Sequence, residues 1–124
     1  MNKNYRTNIC NVLIIGSGGA GLRAAIAAHE QGSEVLIIGK RIRNDAHTTL
    51  AAGGINAVLG TVDPEDSLTQ HFVDTYQEGY RVADPKTVEI LVEDAPNRVN
   101  ELVEWGTPFA KTANGELDQR YFGA

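Results

Sequence analysis

A glycine-rich run near the N-terminus and one histidine further along the chain are the residues whose types could do chemistry. The run consists of Gly16, Ser17, Gly18, Gly19, Ala20 and Gly21, which is the pattern G-x-G-x-x-G. In such a pattern the first glycine allows a tight turn, the second admits a pyrophosphate, and the third lets a helix pack closely on a strand. His47 opens the later stretch HTTLAAGGINA. The glycine-rich run predicts a phosphate site, but it does not explain the role of His47.

A strand, a helix and a second strand must position this run if it is to hold a phosphate. Residues 9–16 (ICNVLIIG) and 33–40 (SEVLIIGK) are short apolar runs typical of buried parallel strands. Between them, AGLRAAIAAHEQG has helical spacing, and Gly32 is expected to end that helix. A βαβ unit of this kind predicts an α/β fold of the Rossmann-like type, a parallel sheet with helices. The helix N-terminus would then stabilise an anion.

The next part of the chain predicts two further helical regions. Asp63-Pro64 is expected to begin one that ends at Gly79, because aspartate is a favoured N-cap and proline fits the first turn. The same signal recurs at Asp84-Pro85. Pro96 is expected to interrupt this second region, so that a new or kinked helix follows and ends at Gly106.

The last part predicts a β-hairpin. Asn114-Gly115 lies between two short runs in FAKTANGELDQRYF, and this dipeptide is the strongest short-range hairpin signal. We therefore expect a type I′ turn there.

Composition excludes several classes of function. The chain has 124 residues and a formal net charge of −5, which argues against a nucleic-acid partner held by a general basic field. Cys10 is the only cysteine, so an intramolecular disulfide is excluded and a cytoplasmic setting is expected. No apolar stretch approaches the roughly 18 residues that a membrane span needs. The carboxylates fall on solvated helix faces, so we assign neither a catalytic residue nor a metal ligand.

The end of the second strand leaves the identity of the dinucleotide open. A Rossmann site for NAD or FAD usually has an acidic residue there to hold the ribose, whereas this chain has Gly39 and Lys40. Lys40 is followed by Arg41 and Arg43. From the residues alone, three interpretations stand: an FAD site without the acid, an NADP 2′-phosphate site, and solvated charges.

Six stretches in combination resemble the N-terminal part of a known family. They are VLIIGSGGAGLRAAIAA, GK after the second strand, HTTLAAGGINA, DSLTQHFVDT, DAPNRVNELVEWGTPF and LDQRYFGA. Together they resemble the succinate dehydrogenase and fumarate reductase flavoprotein family, which includes L-aspartate oxidase. The resemblance runs nearly end to end and includes the lysine in place of the usual acid. It implies that FAD is the cofactor. It also implies that residues 1–124 are the N-terminal portion of an incomplete FAD-binding domain, with the capping and C-terminal domains outside this chain.

The resemblance also implies roles for individual residues. In the respiratory members a histidine that matches His47 is bonded covalently to the flavin. Gly53 and Gly54 would bring backbone N–H groups close to the flavin or substrate, and Phe122 would wall the substrate pocket. The expected cofactor-binding residues are Gly16, Ser17, Gly18, Gly19, Ala20, Gly21, Gly39, Lys40, His47, Thr48, Thr49, Gly53 and Gly54, and the expected substrate residues are Gly53 and Phe122.

The implied activity is the interconversion of succinate and fumarate, with electrons passed through an iron–sulfur subunit to a membrane anchor. The expected location is cytoplasmic, or peripheral on the cytoplasmic face of a membrane through those partners. Two positions depart from the family pattern: Ala52 replaces a usual glutamine, and Ala124 replaces the last glycine of FGG. L-aspartate oxidase is the alternative enzyme, although its members generally lack the linking histidine. A non-catalytic nucleotide-binding fragment is the alternative from another class.

Overall fold

The computed structural model describes residues 6–40 and 45–120. The chain divides into two compact units, Met1–Gly53 and Gly54–Ala124. The first unit contains, in chain order, β1 (Val12–Ile15), α1 (Gly19–Glu30), β2 (Val35–Ile38) and a short α2 (His47–Leu50). The second contains α3 (Leu68–Glu78) and α4 (Pro85–Glu104). The order β1, α1, β2 confirms the predicted βαβ unit, and α2 is an additional helix that the sequence did not predict.

The two strands of the first unit form a parallel sheet. Val12 pairs with Val35, and the register continues to Ile15 and Ile38. Helix α1 contacts both strands, and Gly32 lies just beyond its C-cap with a φ of +80°. This arrangement confirms the α/β, Rossmann-like fold class and the end of α1. It places the glycine-rich run between β1 and α1.

The described residues leave the sheet partly uncovered. The side chains of Leu13 and Ile15 on β1 are 52% and 82% exposed. Burial alternates along β1, so one face of the strand is more covered than the other. Among the described residues, Leu13 and Ile15 belong to the exposed face.

Helix α3 begins later than the sequence predicts. Its N-cap is Ser67, whose hydroxyl accepts a hydrogen bond from the N–H of Gln70 at 3.2 Å. Asp63 instead accepts the N–H of Glu65 at 2.9 Å and so closes a turn before the helix. The prediction that Asp63-Pro64 begins the helix is therefore wrong. The end of the helix at Gly79 is confirmed.

Helix α4 starts where predicted but does not break at its proline. Asp84 is the N-cap, and α4 continues through Pro96 to Glu104 as one helix. Proline removes one N–H donor from a helix, but Val92 and Val99 on either side are only 2% and 4% exposed. Because α3 and α4 pack against each other, this burial holds both halves of α4 in one helix. Of the two forms predicted after Pro96, the new helix is wrong, because α4 is continuous, and the kinked helix stays a prediction.

The end of α4 confirms another expectation. Gly106, with a φ of +87°, follows the C-cap and ends the helix as predicted. Within residues 6–40 and 45–120, no helix, α4 included, combines the length and the apolar character that crossing a membrane requires.

The predicted hairpin is present, but its turn differs. Lys111 and Leu117 form an antiparallel bridge. Gly115 has a φ of +85° and donates its N–H to the carbonyl of Thr112 at 2.9 Å. A type I′ turn needs a positive φ at Asn114, which is not among the described residues with one. The type I′ prediction is wrong, because a loop this long favours an ordinary turn followed by a left-handed glycine.

Two side chains, Gln119 and Thr61, attach this hairpin to an earlier segment of the same unit. Gln119 donates through Nε2 to the carbonyl of Ala57 at 2.8 Å, and its Oε1 accepts the N–H of Thr61 at 3.2 Å. The Thr61 hydroxyl donates to the carbonyl of Leu117 at 2.7 Å. These contacts hold residues 57–61 beside the hairpin.

The N-cap of α4 predicts a pH dependence. The Asp84 carboxylate accepts the O–H and N–H of Thr87 at 2.8 and 3.1 Å. The Thr87 hydroxyl, followed by backbone N–H groups, lowers the Asp84 pKa below its ordinary value of 3.8. The stabilisation is therefore complete above that value and is lost as the pH falls through the lower, folded pKa.

Asp84→Asn keeps an oxygen acceptor but cannot ionise. We expect the variant to melt below the parent chain at pH 7, and the gap to close as the pH falls below 3.8. Thermal unfolding followed by circular dichroism measures this gap. A difference in Tm that stays constant down to pH 2 would contradict the assignment of the charge effect to this cap.

Candidate functional site

The glycine-rich run makes a tight turn directly after β1. Gly16 has a φ of +123°, which side chains other than glycine rarely adopt. Its N–H donates to the carbonyl of Ile38 at 2.8 Å. The turn is thereby attached to the end of the neighbouring strand β2.

Gly21 is the point where α1 comes closest to this turn. A Cβ built on Gly21 would lie 2.0 Å from the carbonyl oxygen of Gly16. That atom belongs to the backbone and cannot rotate away, so only glycine fits. Its absent side chain lets the first turn of α1 rest on the end of β1.

The N-terminus of α1 opens on this turn. Gly18 is the N-cap, with an extended backbone and no side-chain hydrogen bond to the helix. The first N–H groups of any helix lack partners within it and carry the positive end of the helix dipole. With no Cβ at Gly18, a phosphate can approach the N–H groups that remain open there.

Thr48 holds the segment that contains His47 against the N-terminus of α1. Its Oγ1 accepts the N–H of Gly19 at 3.0 Å. A Cβ built on Gly19 would lie 3.1 Å from both Oγ1 and Cγ2 of Thr48, so the glycine leaves room for this side chain. Residues separated by 29 positions are thus joined at the N-terminus of α1.

His47 is the first residue of α2 and precedes Thr48 directly. Its side chain is exposed. The contact made by Thr48 therefore sets His47 beside the glycine-rich run with an accessible imidazole. Thr49 lies in the same turn of helix and donates its N–H to the carbonyl of Ala46 at 2.9 Å.

Gly39 and Lys40 follow β2 directly, at the carboxyl end of the sheet where Gly16 also lies, and both are exposed. Arg41 and Arg43 lie outside the described residues, and so does Phe122. The structure therefore places Lys40 just after the second strand, where the sequence predicts it. The predicted substrate role of Phe122 stays a prediction.

Gly53 and Gly54 have a different setting from the glycines of the run. A Cβ built on either would meet nothing within 4 Å among the described residues. Packing against those residues therefore does not require glycine at these positions. Their predicted approach to flavin or substrate stays a prediction.

Sequence reasoning grouped Thr48 with the cofactor-binding residues but missed its contact with Gly19. The contact is long-range and has no periodic signature. The only signal in the sequence was a hydroxyl residue next to the histidine. Its partner Gly19 is not one of the three glycines that define the G-x-G-x-x-G pattern.

The arrangement fits the pyrophosphate of a dinucleotide. Gly16 supplies the left-handed turn, Gly21 the close approach of helix to strand, and Gly18 a surface without a side chain. These are the three functions that the G-x-G-x-x-G pattern serves. The sheet, helix and run together can hold an anion at the N-terminus of α1.

Comparison with known proteins identifies the dinucleotide. Residues 11–124 match the family described as FAD binding domain. A fumarate reductase (CoM/CoB) subunit of Methanothermobacter marburgensis is 48% identical over 115 residues, which are 92% of this chain and 21% of that protein. The mitochondrial succinate dehydrogenase [ubiquinone] flavoprotein subunit of Oryza sativa subsp. japonica is 39% identical over 91% of this chain and 18% of its own.

A solved structure supports the same family assignment. The chain superimposes on Sdh1 of Mycobacterium smegmatis, in complex with UQ1, with a TM-score of 0.85 and 40% identity over 92% of this chain and 19% of that one. This chain thus spans about a fifth of the length of these relatives. Among the interpretations left open at Lys40, the match selects FAD as the cofactor. The chain belongs to the FAD binding domain family, and the relatives that it matches include flavoprotein subunits of a succinate dehydrogenase and of a fumarate reductase.

Proposed function

We propose that the chain is the N-terminal, FAD-binding portion of a flavoprotein oxidoreductase that interconverts succinate and fumarate. The observation that carries the proposal is the hydrogen bond of 3.0 Å between Thr48 and Gly19. It brings the segment that contains His47 onto the phosphate-binding run, as one cofactor spanning both would require. The names of the relatives support the choice of reaction.

In this proposal the first unit holds FAD at two places, the pyrophosphate in the middle of the cofactor and the flavin at one end. The glycine-rich run receives the pyrophosphate, and the N-terminus of α1 offsets its negative charge. Lys40, exposed after β2, lies where other Rossmann sites hold the ribose. Bound FAD supplies hydride and electron transfer, and the protein supplies position and electrostatics.

His47 is the proposed attachment point of the flavin. The imidazole is exposed, and its neighbour Thr48 is fixed to the run. A covalent bond from this side chain would hold the flavin end of the cofactor while α1 holds the pyrophosphate. Gly53, Gly54 and Phe122 are the proposed neighbours of the flavin and the dicarboxylate.

The proposed partners follow from the same assignment. Electrons taken from succinate must leave the flavin. The proposed first acceptor is an iron–sulfur subunit, and the proposed next acceptor is a membrane anchor. The proposed location is cytoplasmic, or peripheral on the cytoplasmic face of a membrane through those partners.

The test is an anaerobic assay of the full-length protein in both directions. We expect oxidation of succinate with a dye as acceptor and reduction of fumarate with a reduced dye as donor. L-Aspartate is the control substrate. Oxidation of L-aspartate without turnover of succinate or fumarate would replace the proposal with L-aspartate oxidase. Bound nucleotide without turnover of any of the three would leave a non-catalytic binding protein.

A further inference from the structure

We propose that Thr48 is a positioning residue that orders the His47 segment, defined as residues 45–53, before FAD arrives. The hydroxyl of Thr48 fixes α2 to the N-terminus of α1. This inference rests on the proposed function, because it assumes that FAD uses both the glycine-rich run and the His47 segment.

Helix α2 needs a contact of this kind. It has only four residues, and no side chain caps its N-terminus. Helices this short are not stable by themselves in water, because one or two backbone hydrogen bonds cannot offset the cost of nucleation. A contact from outside the helix must therefore hold it, and Thr48 makes one to Gly19.

Both parts of the Thr48 side chain take part in this contact. Oγ1 accepts the N–H of Gly19 at 3.0 Å, and Cγ2 lies 3.1 Å from where a Cβ of residue 19 would be. The hydroxyl thus satisfies one donor at the start of α1, and the methyl group fills the space above a glycine. The other N–H groups of that first turn are the ones left for the pyrophosphate.

Ordering this segment in advance has a consequence for binding. A ligand that must order a loop as it binds loses affinity to the entropy of that ordering. If Thr48 orders the His47 segment beforehand, FAD binds without that loss. The hydroxyl would therefore strengthen FAD binding although it already has a partner within the protein.

The test uses the full-length protein with His47→Ser, so that FAD exchanges freely whether or not the native flavin is linked. Thr48→Val removes the hydroxyl and keeps the shape, and Thr48→Ser keeps the hydroxyl. Amide hydrogen exchange of residues 45–53 is measured in the FAD-free protein, and FAD affinity by fluorescence titration. Thr69→Val, at an exposed position on α3, is the control.

We expect Thr48→Val to raise the exchange rate of these amides roughly five- to tenfold and to weaken FAD binding by about as much, the loss expected for one hydrogen bond. Thr48→Ser keeps the hydrogen bond and loses only the methyl contact, so it should lose clearly less than Thr48→Val in both measurements. Unchanged exchange and affinity in Thr48→Val would overturn the proposal, and so would an equal loss in Thr48→Ser. If the parent with Thr48 intact bound no FAD, the proposed function would fail, while the exchange rates would still decide the role of Thr48.

Discussion

Replacement of Gly21 by alanine is expected to abolish FAD binding by the full-length protein. The added Cβ would lie 2.0 Å from the carbonyl oxygen of Gly16 and 3.0 Å from its carbonyl carbon. Both are backbone atoms, so α1 would have to move off the end of β1. Overpacking of this kind costs about 3 kcal/mol or more when the backbone cannot yield. The measurements are flavin content after purification and the Tm of unfolding.

Gly18→Ala is the matched variant. A Cβ on Gly18 would lie 3.8 Å from Oγ1 of Thr48, which is an ordinary contact. The fold should tolerate this methyl group, but it would stand where the pyrophosphate approaches the backbone. We expect a Tm close to that of the parent together with weakened FAD binding. Normal flavin content in Gly21→Ala, or unaltered FAD affinity in Gly18→Ala, would remove the respective glycine from the site.

Replacement of His47 by serine is the change with the largest expected effect on catalysis. The variant should bind FAD only noncovalently and should lose succinate oxidation more than fumarate reduction. If His47 carries the proposed linkage, its loss lowers the reduction potential of the flavin, as the family resemblance implies, and the oxidation of succinate needs the stronger acceptor. A fall of about 30 mV in a two-electron potential changes an equilibrium constant tenfold.

His29→Ser is the control for this experiment. His29 is exposed near the end of α1 and has no place in the proposed site. We expect it to keep the linkage and the ratio of the two activities. The two rates are measured anaerobically, with flavin potentials from redox titration. An unchanged ratio of oxidation to reduction in His47→Ser would argue that the histidine does not tune the flavin.

The first unit was predictable because its signals are local and agree with one another. Two apolar runs closed by Gly16 and Gly39 flank a helix that ends just before Gly32. Parallel pairing follows from the strand–helix–strand order. The site needed the resemblance as well, because Lys40 by its residue type fits an NADP site as readily as an FAD site without the acid.

The errors in the second unit arose where one local signal competed with another. Asp63 and Ser67 are both good N-caps, and the sequence does not say which one closes a turn instead. Pro96 is a helix breaker whose effect depends on burial of its neighbours Val92 and Val99, which is a tertiary property. Asn114-Gly115 specifies a turn, but the separation of the paired residues selects its type.

The contact between Thr48 and Gly19 was out of reach for a different reason. It joins positions 29 residues apart and depends on where α2 lies relative to α1. Neither periodicity nor capping rules contain that information. It is nevertheless the contact on which the placement of His47 depends.

The most direct test of the assignment of His47 is the mass of one peptide. Trypsin should release residues 44–81, which contain His47, from freshly isolated, flavin-loaded enzyme that has been denatured in acid. A covalent bond survives the loss of every packing contact, so we expect a yellow, fluorescent peptide that carries the added mass of the flavin. Recovery of this peptide only at its unmodified mass, with all FAD released, would contradict the attachment of the flavin to His47 and would favour L-aspartate oxidase.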